Sequence, residues 1–207
     1  MSVWAVIPVK PLGQAKSRLA GVLSPAERAA LGRQLLVRTL EVLAEVPAID
    51  QTLVVSGDRQ ALSLAREHGA RPVRENGVPD LNRALQRATR VAQRRGASAV
   101  LVLPSDLPRL TAAEVGRLLS MASEPPVVVL APDRRSRGTN GLLSAPAGLI
   151  EYAFGPDSFT RHLERARAAG VRVETCTLPG LGLDLDDPDD LSLLEADSAS
   201  AEDPQPE

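Results

Sequence analysis

Apolar and polar positions along this chain follow two rhythms: short, nearly continuous apolar runs, and longer stretches with apolar residues three and four apart. The short runs predict strands over 3–9, 51–56, 70–74, 99–103, 127–131 and 171–175, with a further short strand at 142–144. The helical rhythm fills the intervals between them. Ser24-Pro25-Ala26-Glu27 starts a helix that runs to about Glu45, with Ser as N-cap, Pro at the first position and Glu closing a capping box. Helices follow over 59–67, ending at Gly69, and, after the polar loop Glu75–Asp80, up to Arg95, ending at Gly96. Thr111-Ala112-Ala113-Glu114 is a second capping box, and the last helices span 158–169 and 187–194. Strands spaced by helices of this length predict an α/β fold: one mostly parallel, mixed sheet with helices on both faces. Such a sheet binds ligands beyond its C-terminal strand ends, where the polar loops of this chain converge.

Composition narrows the function. The 207 residues suit one domain, carry a net charge of -2 and contain 2% aromatic residues. That leaves neither a basic field for a nucleic-acid backbone nor stacking platforms for single strands. One cysteine, Cys176, excludes an internal disulfide and reads as a small buried residue. No segment approaches the roughly 20 apolar residues that span a bilayer, so a cytoplasmic location is expected. From about Asp197 the chain is Ser, Ala, Asp, Glu, Pro and Gln, so a domain over 1–196 is expected to end in a disordered acidic tail, 197–207.

Four polar stretches carry candidate chemistry. The loop after the first strand holds Lys10, Lys16 and Arg18, cations suited to a triphosphate, with Gly13 to admit a phosphate close to the backbone. Asp106, in Pro104-Ser105-Asp106-Leu107-Pro108 after the most apolar strand, suits a hard divalent ion. In Asp184-Leu185-Asp186 an extended backbone points both acids the same way, while Asp187 caps the last helix ahead of Pro188. Residues 133–141, with Gly155-Pro156-Asp157-Ser158-Phe159, form a candidate second anion site, Ser158 standing at a helix N-terminus. The basic run Arg134–Arg137 has no assignment, and His68 and His162 read as surface or helix filler.

Together Ile7-Pro8-Val9-Lys10, Lys16-Ser17-Arg18-Leu19, Asp80-Leu81-Asn82, Pro104 to Pro108, Gly138-Thr139-Asn140 and Asp184-Leu185-Asp186 resemble the phospholactate/phosphoenolpyruvate guanylyltransferases of coenzyme F-420 biosynthesis. The resemblance implies a GT-A-like or Rossmann-like nucleotidyltransferase domain, GTP as donor, and phosphoenolpyruvate or 2-phospho-L-lactate as acceptor. It implies Mg2+ on Asp106 with Asp184 or Asp186, and catalytic roles for Lys10, Lys16 and Asp106. Pro8, Lys10, Lys16, Arg18, Gly77, Asn82 and Ser105 match nucleotide-binding positions, and Thr139, Gly155 and Ser158 match acceptor-binding ones. Monomer and homodimer both stay open. The competing readings are a nucleotidyltransferase for molybdopterin or a sugar phosphate, and a non-catalytic GTP-binding module.

Overall fold

The computed structural model describes residues 1–75 and 80–201, with 195–201 as backbone only. Seven strands form one sheet: β1 Val3–Pro8, β2 Ile49–Ser56, β3 Arg71–Arg74, β4 Ala99–Val102, β5 Val127–Pro132, β6 Thr139–Ala145 and β7 Arg172–Thr175. Their spatial order is β3-β2-β1-β4-β6-β5-β7. β3, β2, β1 and β4 pair in parallel, and so do β5 and β7, whereas β6 runs antiparallel to both β4 and β5. The expected mixed, mostly parallel sheet is therefore observed. The helices are α1 Pro25–Ala44, α2 Arg59–Glu67, α3 Leu81–Arg94, α4 Ala112–Ser120, α5 Ser158–Ala168, the single turn α6 Pro179–Gly182, and α7 Pro188–Ala201. No helix among the described residues is long and apolar enough to cross a membrane.

Strand alternation divides the apolar residues between two faces. Ala5, Ile7, Val54, Leu101 and Val129 pack with Leu36, Leu40 and Leu43 of α1 and Val115 and Leu118 of α4. Val6, Val55, Val102, Leu130 and Leu142 pack with Leu85 and Ala88 of α3 and Ala166 of α5. Each fully buried Leu in these layers contributes about 2 kcal/mol. Both predicted capping boxes form, Ser24 with Glu27 and Thr111 with Glu114. Cys176 is buried after β7, and burial pushes its thiol pKa up.

Two boundaries differ from expectation by three residues or more. Residues 139–141 were expected in a loop but open β6, all of whose residues are buried. Their polar and glycine side chains give no apolar signal. Gly141 is there for space, since a Cβ would stand 3.0 Å from Leu118 and 3.1 Å from Ala131. The last helix also continues to Ala201, beyond the expected start of the tail at 197.

The α6 turn is locked onto α4. Glu114 closes its capping box with Oε2 and accepts the Gly180 N–H on Oε1 at 2.7 Å. A Cβ at position 180 would lie 2.0 Å from Glu114 Oε2 and 2.5 Å from the Arg109 carbonyl oxygen. Gly180→Ala is therefore expected to destabilise by about 2 kcal/mol through overpacking, lowering Tm by about 5 °C. An unchanged thermal midpoint by calorimetry would show that this turn yields freely.

Candidate active site at the strand edge

The reversal of β6 brings together segments remote in sequence. Because it runs against β4, its first residues, Thr139 and Asn140, lie at the edge where β1 and β4 end. A cavity of about 490 Å3 opens along that edge. It runs from Val55 and Glu75, past Pro8 and Lys10, to Ser105 and Asp106, and on to Thr139, Gly155 and Ser158.

Two buried leucines pin the loop after β1, Leu12 at 2% and Leu19 at 0% exposure. The Leu12 N–H also donates to Asp58 Oδ2 at 2.8 Å. Short 3-10 turns at Leu12–Gln14 and Ser17–Gly21 leave Lys16 between them in the left-handed region, with φ 55°. That conformation costs a non-glycine residue roughly 1–2 kcal/mol, so the surroundings must impose it. The Lys16 side chain is 6% exposed, and its Nζ lies 2.6 Å from Asp106 Oδ2 and 3.4 Å from Asp186 Oδ1. Arg18, 72% exposed, reaches Asp186 Oδ2 at 3.3 Å from the rim. Lys10 is exposed and lines the cavity. Gly13, expected to admit a phosphate, is exposed and does not line the cavity; a Cβ there would meet nothing within 4 Å.

The carboxylates converge as their spacing predicted. Leu183 and Leu185 are buried, turning Asp184 and Asp186 to the other side. The Leu185 N–H donates to the Asp106 carbonyl oxygen at 3.0 Å, fixing this extended strap beside Asp106. Asp106, Asp184 and Asp186 all line the cavity. Burial raises the Asp184 pKa; an Asn140 Nδ2 donor at 3.2 Å opposes the rise, and the charges of Asp106 and Asp186 add to it. Asp106 Oδ1 is buried without a hydrogen-bond partner among the described residues. Among the described residues no group of three or more His, Cys, Asp or Glu side chains is set to hold a metal ion unaided.

Beyond β6 the wall is made by residues 152–162. Asn82 does not line the cavity: its Nδ2 donates to the Phe154 carbonyl at 3.1 Å, and its Oδ1 accepts the Phe154 N–H at 2.8 Å. Asn82 clamps the segment that presents Phe154 and Gly155. Ser158 is the first residue of α5 and is buried behind the N-cap Asp157. His162 is no surface filler but is fully buried, its ring 4.8 Å edge-on from Phe154. It contacts Thr139 Oγ1 at 3.0 Å through Nδ1 and the Ala153 N–H at 2.9 Å through Nε2. Burial, with the charges of Arg165 and Arg161, pushes its pKa down to about 4. Gly77 lies outside the described residues.

The basic run acquires a role. Asp133 folds the β5–β6 turn by accepting the Arg135, Arg137 and Gly138 N–H groups, and the Arg134 N–H donates to the Gly182 carbonyl at 2.7 Å. The Arg134 guanidinium pairs with Asp190, whose side chain is 5% exposed. Asp190 Oδ2 accepts the Asp186 and Asp187 N–H groups, each at 2.9 Å, and Asp187 caps the helix in return. Burial pushes the Asp190 pKa up, but those N–H groups and Arg134 outweigh it and hold the carboxyl below its usual range. Arg134 thereby latches the strap that carries Asp184 and Asp186. Arg134→Met strands the buried charge and is expected to cost about 2 kcal/mol in urea unfolding. Hydrogen exchange at the Asp186 and Asp187 amides should quicken with it, and unchanged exchange there would remove the latch.

Solved structures share this architecture. A putative nucleotide-diphospho-sugar transferase from Desulfovibrio desulfuricans G20 superimposes with a TM-score of 0.79 at 20% identity, covering 98% of this chain and 90% of that one. A nucleotidyl transferase from Methanothermobacter gives 0.69 at 16% identity, covering 97% and 99%. The fold is that of these proteins, and the chain that carries this strand-edge site is a nucleotidyltransferase. It belongs, further, to the family described as guanylyl transferase CofC like, which matches residues 3–198. The phosphoenolpyruvate guanylyltransferase of Rubrobacter xylanophilus is 46% identical over 95% of this chain and 95% of its own length. The 2-phospho-L-lactate guanylyltransferase of Methanothermobacter thermautotrophicus is 36% identical over 92% and 83%.

Proposed function

We propose that this protein transfers GMP from GTP to phosphoenolpyruvate with release of pyrophosphate, as a step toward coenzyme F-420, with 2-phospho-L-lactate as the competing acceptor. The observation that carries the reading is Lys16, buried between Asp106 and Asp186 on the cavity wall. The 46% identity to a phosphoenolpyruvate guanylyltransferase, against 36% to a phospholactate enzyme, favours phosphoenolpyruvate. Glu75 and Asp80 line the end of the cavity beside β2 and β3. A carboxylate accepts from the N1–H and 2-amino groups that guanine presents and adenine lacks, so these two acids favour GTP over ATP.

In the proposed reaction an acceptor phosphate oxygen attacks the α-phosphorus of GTP. The new P–O bond forms as the α–β bridging bond breaks, and pyrophosphate leaves with the electron pair. A phosphate monoester has a second pKa of about 6, so its oxygen is already ionised at neutral pH and needs no general base. Lys10 and Lys16 draw the two anions together, and the clamped wall at Gly155 orients the acceptor. The cations Lys10, Lys16 and Arg18 are matched in number by Asp106, Asp184 and Asp186, so these six side chains together offer two polyanions no net positive charge. Mg2+ suits that deficit, because it takes one or two carboxylates plus substrate phosphates. Asp106 fits it through its buried, unpartnered Oδ1, with Asp184 or Asp186 as the second carboxylate. Bound there, the ion supplies neutralisation of phosphate charge.

Pyrophosphate release tests the reading, with GTP or ATP and with phosphoenolpyruvate, 2-phospho-L-lactate or no acceptor, over a magnesium titration. Release is expected with GTP, phosphoenolpyruvate and Mg2+. A rate independent of acceptor would sink it.

A further inference from the structure

The acceptor end of the cavity rests on a hydrogen-bond chain that begins at the buried His162. The Ala153 N–H can only donate, so the ring nitrogen it faces, Nε2 at 2.9 Å, is the one without a hydrogen. A neutral imidazole has one N–H, which therefore sits on Nδ1, 3.0 Å from Thr139 Oγ1. Thr139 Oγ1 also accepts the Ser158 hydroxyl at 3.2 Å. A hydroxyl oxygen has two lone pairs and one hydrogen. Both lone pairs on Thr139 are thus occupied from behind, and its hydrogen is left to donate. Thr139 and Ser158 line the cavity.

We propose that His162 is a positioning residue that fixes the Thr139 hydroxyl as a hydrogen-bond donor to the acceptor, making this end of the cavity a subsite for an anionic oxygen. The proposal rests on the reading above in assigning this end to the acceptor. A carboxylate or phosphate oxygen presents only lone pairs and fits a lone donor. A substrate that offers a hydroxyl or amine hydrogen here meets no acceptor on Thr139. Arg161 biases the subsite in the same direction. Its Nε and Nη2 are buried without hydrogen-bond partners among the described residues, and Nη2 stands 3.3 Å from where a Cβ on Gly155 would be. A half-buried guanidinium thus lies behind the same wall. The ring's low affinity for a second proton, which burial causes first and Arg165 and Arg161 reinforce, keeps Nε2 free to accept from Ala153.

Two substitutions separate positioning from support. His162→Gln keeps an oxygen for the Ala153 N–H but removes the donor to Thr139. His162→Asn keeps a donor near the Nδ1 position but leaves Ala153 without a partner. Losing one directed hydrogen bond to an anion should raise the acceptor KM of H162Q about tenfold, with the GTP KM and Tm near wild type. H162N should melt lower yet keep an acceptor KM within about threefold of wild type. Acceptor KM values that follow Tm across the pair would overturn the proposal, since a purely structural role predicts that order. Long-range 15N–1H spectra of the wild type read the tautomer directly, with Nδ1–H expected and Nε2–H overturning the claim. If wild type turns over neither acceptor, the functional reading fails, and the tautomer still decides the positioning claim.

Discussion

Asp106→Asn is expected to lower kcat/KM by about 10³-fold while the protein stays folded, because two electrostatic duties end together. The first is the hold on Lys16, whose Nζ sits 2.6 Å from Asp106 Oδ2. An amide at that position keeps the shape but loses the charge, and its NH2 group can only oppose an ammonium. The second is the buried Oδ1, which has no hydrogen-bond partner among the described residues. A carboxylate oxygen left bare beside two further acids is a poor arrangement for the protein by itself and a good one for a divalent cation. The double variant D106N/K16M should lose little more than D106N, because the two side chains act as a unit. Circular dichroism and a thermal midpoint within a few degrees of wild type would establish the fold. A D106N enzyme that keeps a tenth of wild-type turnover at saturating magnesium would remove Asp106 from the chemistry.

What the sequence made legible was whatever repeats locally. The alternation of apolar runs and amphipathic stretches anticipated a parallel-rich sheet with both faces covered. Ser24 with Glu27, and Thr111 with Glu114, marked two helix starts through contacts three residues long. Asp184 and Asp186 were placed on one side because period-two alternation is a property of the backbone, and buried Leu183 and Leu185 bear it out. What stayed hidden depends on contacts between distant segments. β6 opens with Thr139, Asn140 and Gly141, which carry no apolar signal, and only its antiparallel insertion brings them to the active edge. Asn82 meets Phe154 across 72 residues and Arg134 meets Asp190 across 56, spacings that no periodicity encodes. His162 looked like filler because a helical position shows nothing of the strand packed against it.

The three hidden contacts share a physical logic. Each uses a buried or half-buried polar side chain to satisfy backbone groups, and each holds a wall of the same cavity: Asn82 at Phe154, Asp190 at Asp186 and Asp187, His162 at Ala153. Loops that must present substrate-binding groups cannot rest on regular ladders, so their backbone donors need side-chain acceptors. The carboxylate strap and the wall at Phe154 and Gly155 are therefore supported from outside the cavity, and substitutions there should act on the site through its shape.

Acidification should expose the cost of burying His162. Its imidazole ordinarily titrates near 6.5, and in the folded protein its pKa is pushed down to about 4, first by burial and then by Arg165 and Arg161. Between those values the unfolded chain takes up a proton that the folded chain refuses. Stability is therefore unaffected above pH 6.5, falls as the pH drops through the interval, and levels off below pH 4. The full loss is about 3 kcal/mol, of which about 2 kcal/mol appears between pH 7 and pH 5. Asp184, with its raised pKa, works in the opposite sense, since protonation relieves a buried carboxylate. Asp190, with its lowered pKa, adds a loss only in the more acidic range where carboxylates protonate. Comparison with H162Q cancels both. Urea unfolding of the two proteins at pH 7 and pH 5 should show the wild type losing about 2 kcal/mol more than the variant. Equal losses would mean that the ring accepts its proton inside the fold, and the buried neutral tautomer behind Thr139 would go with it.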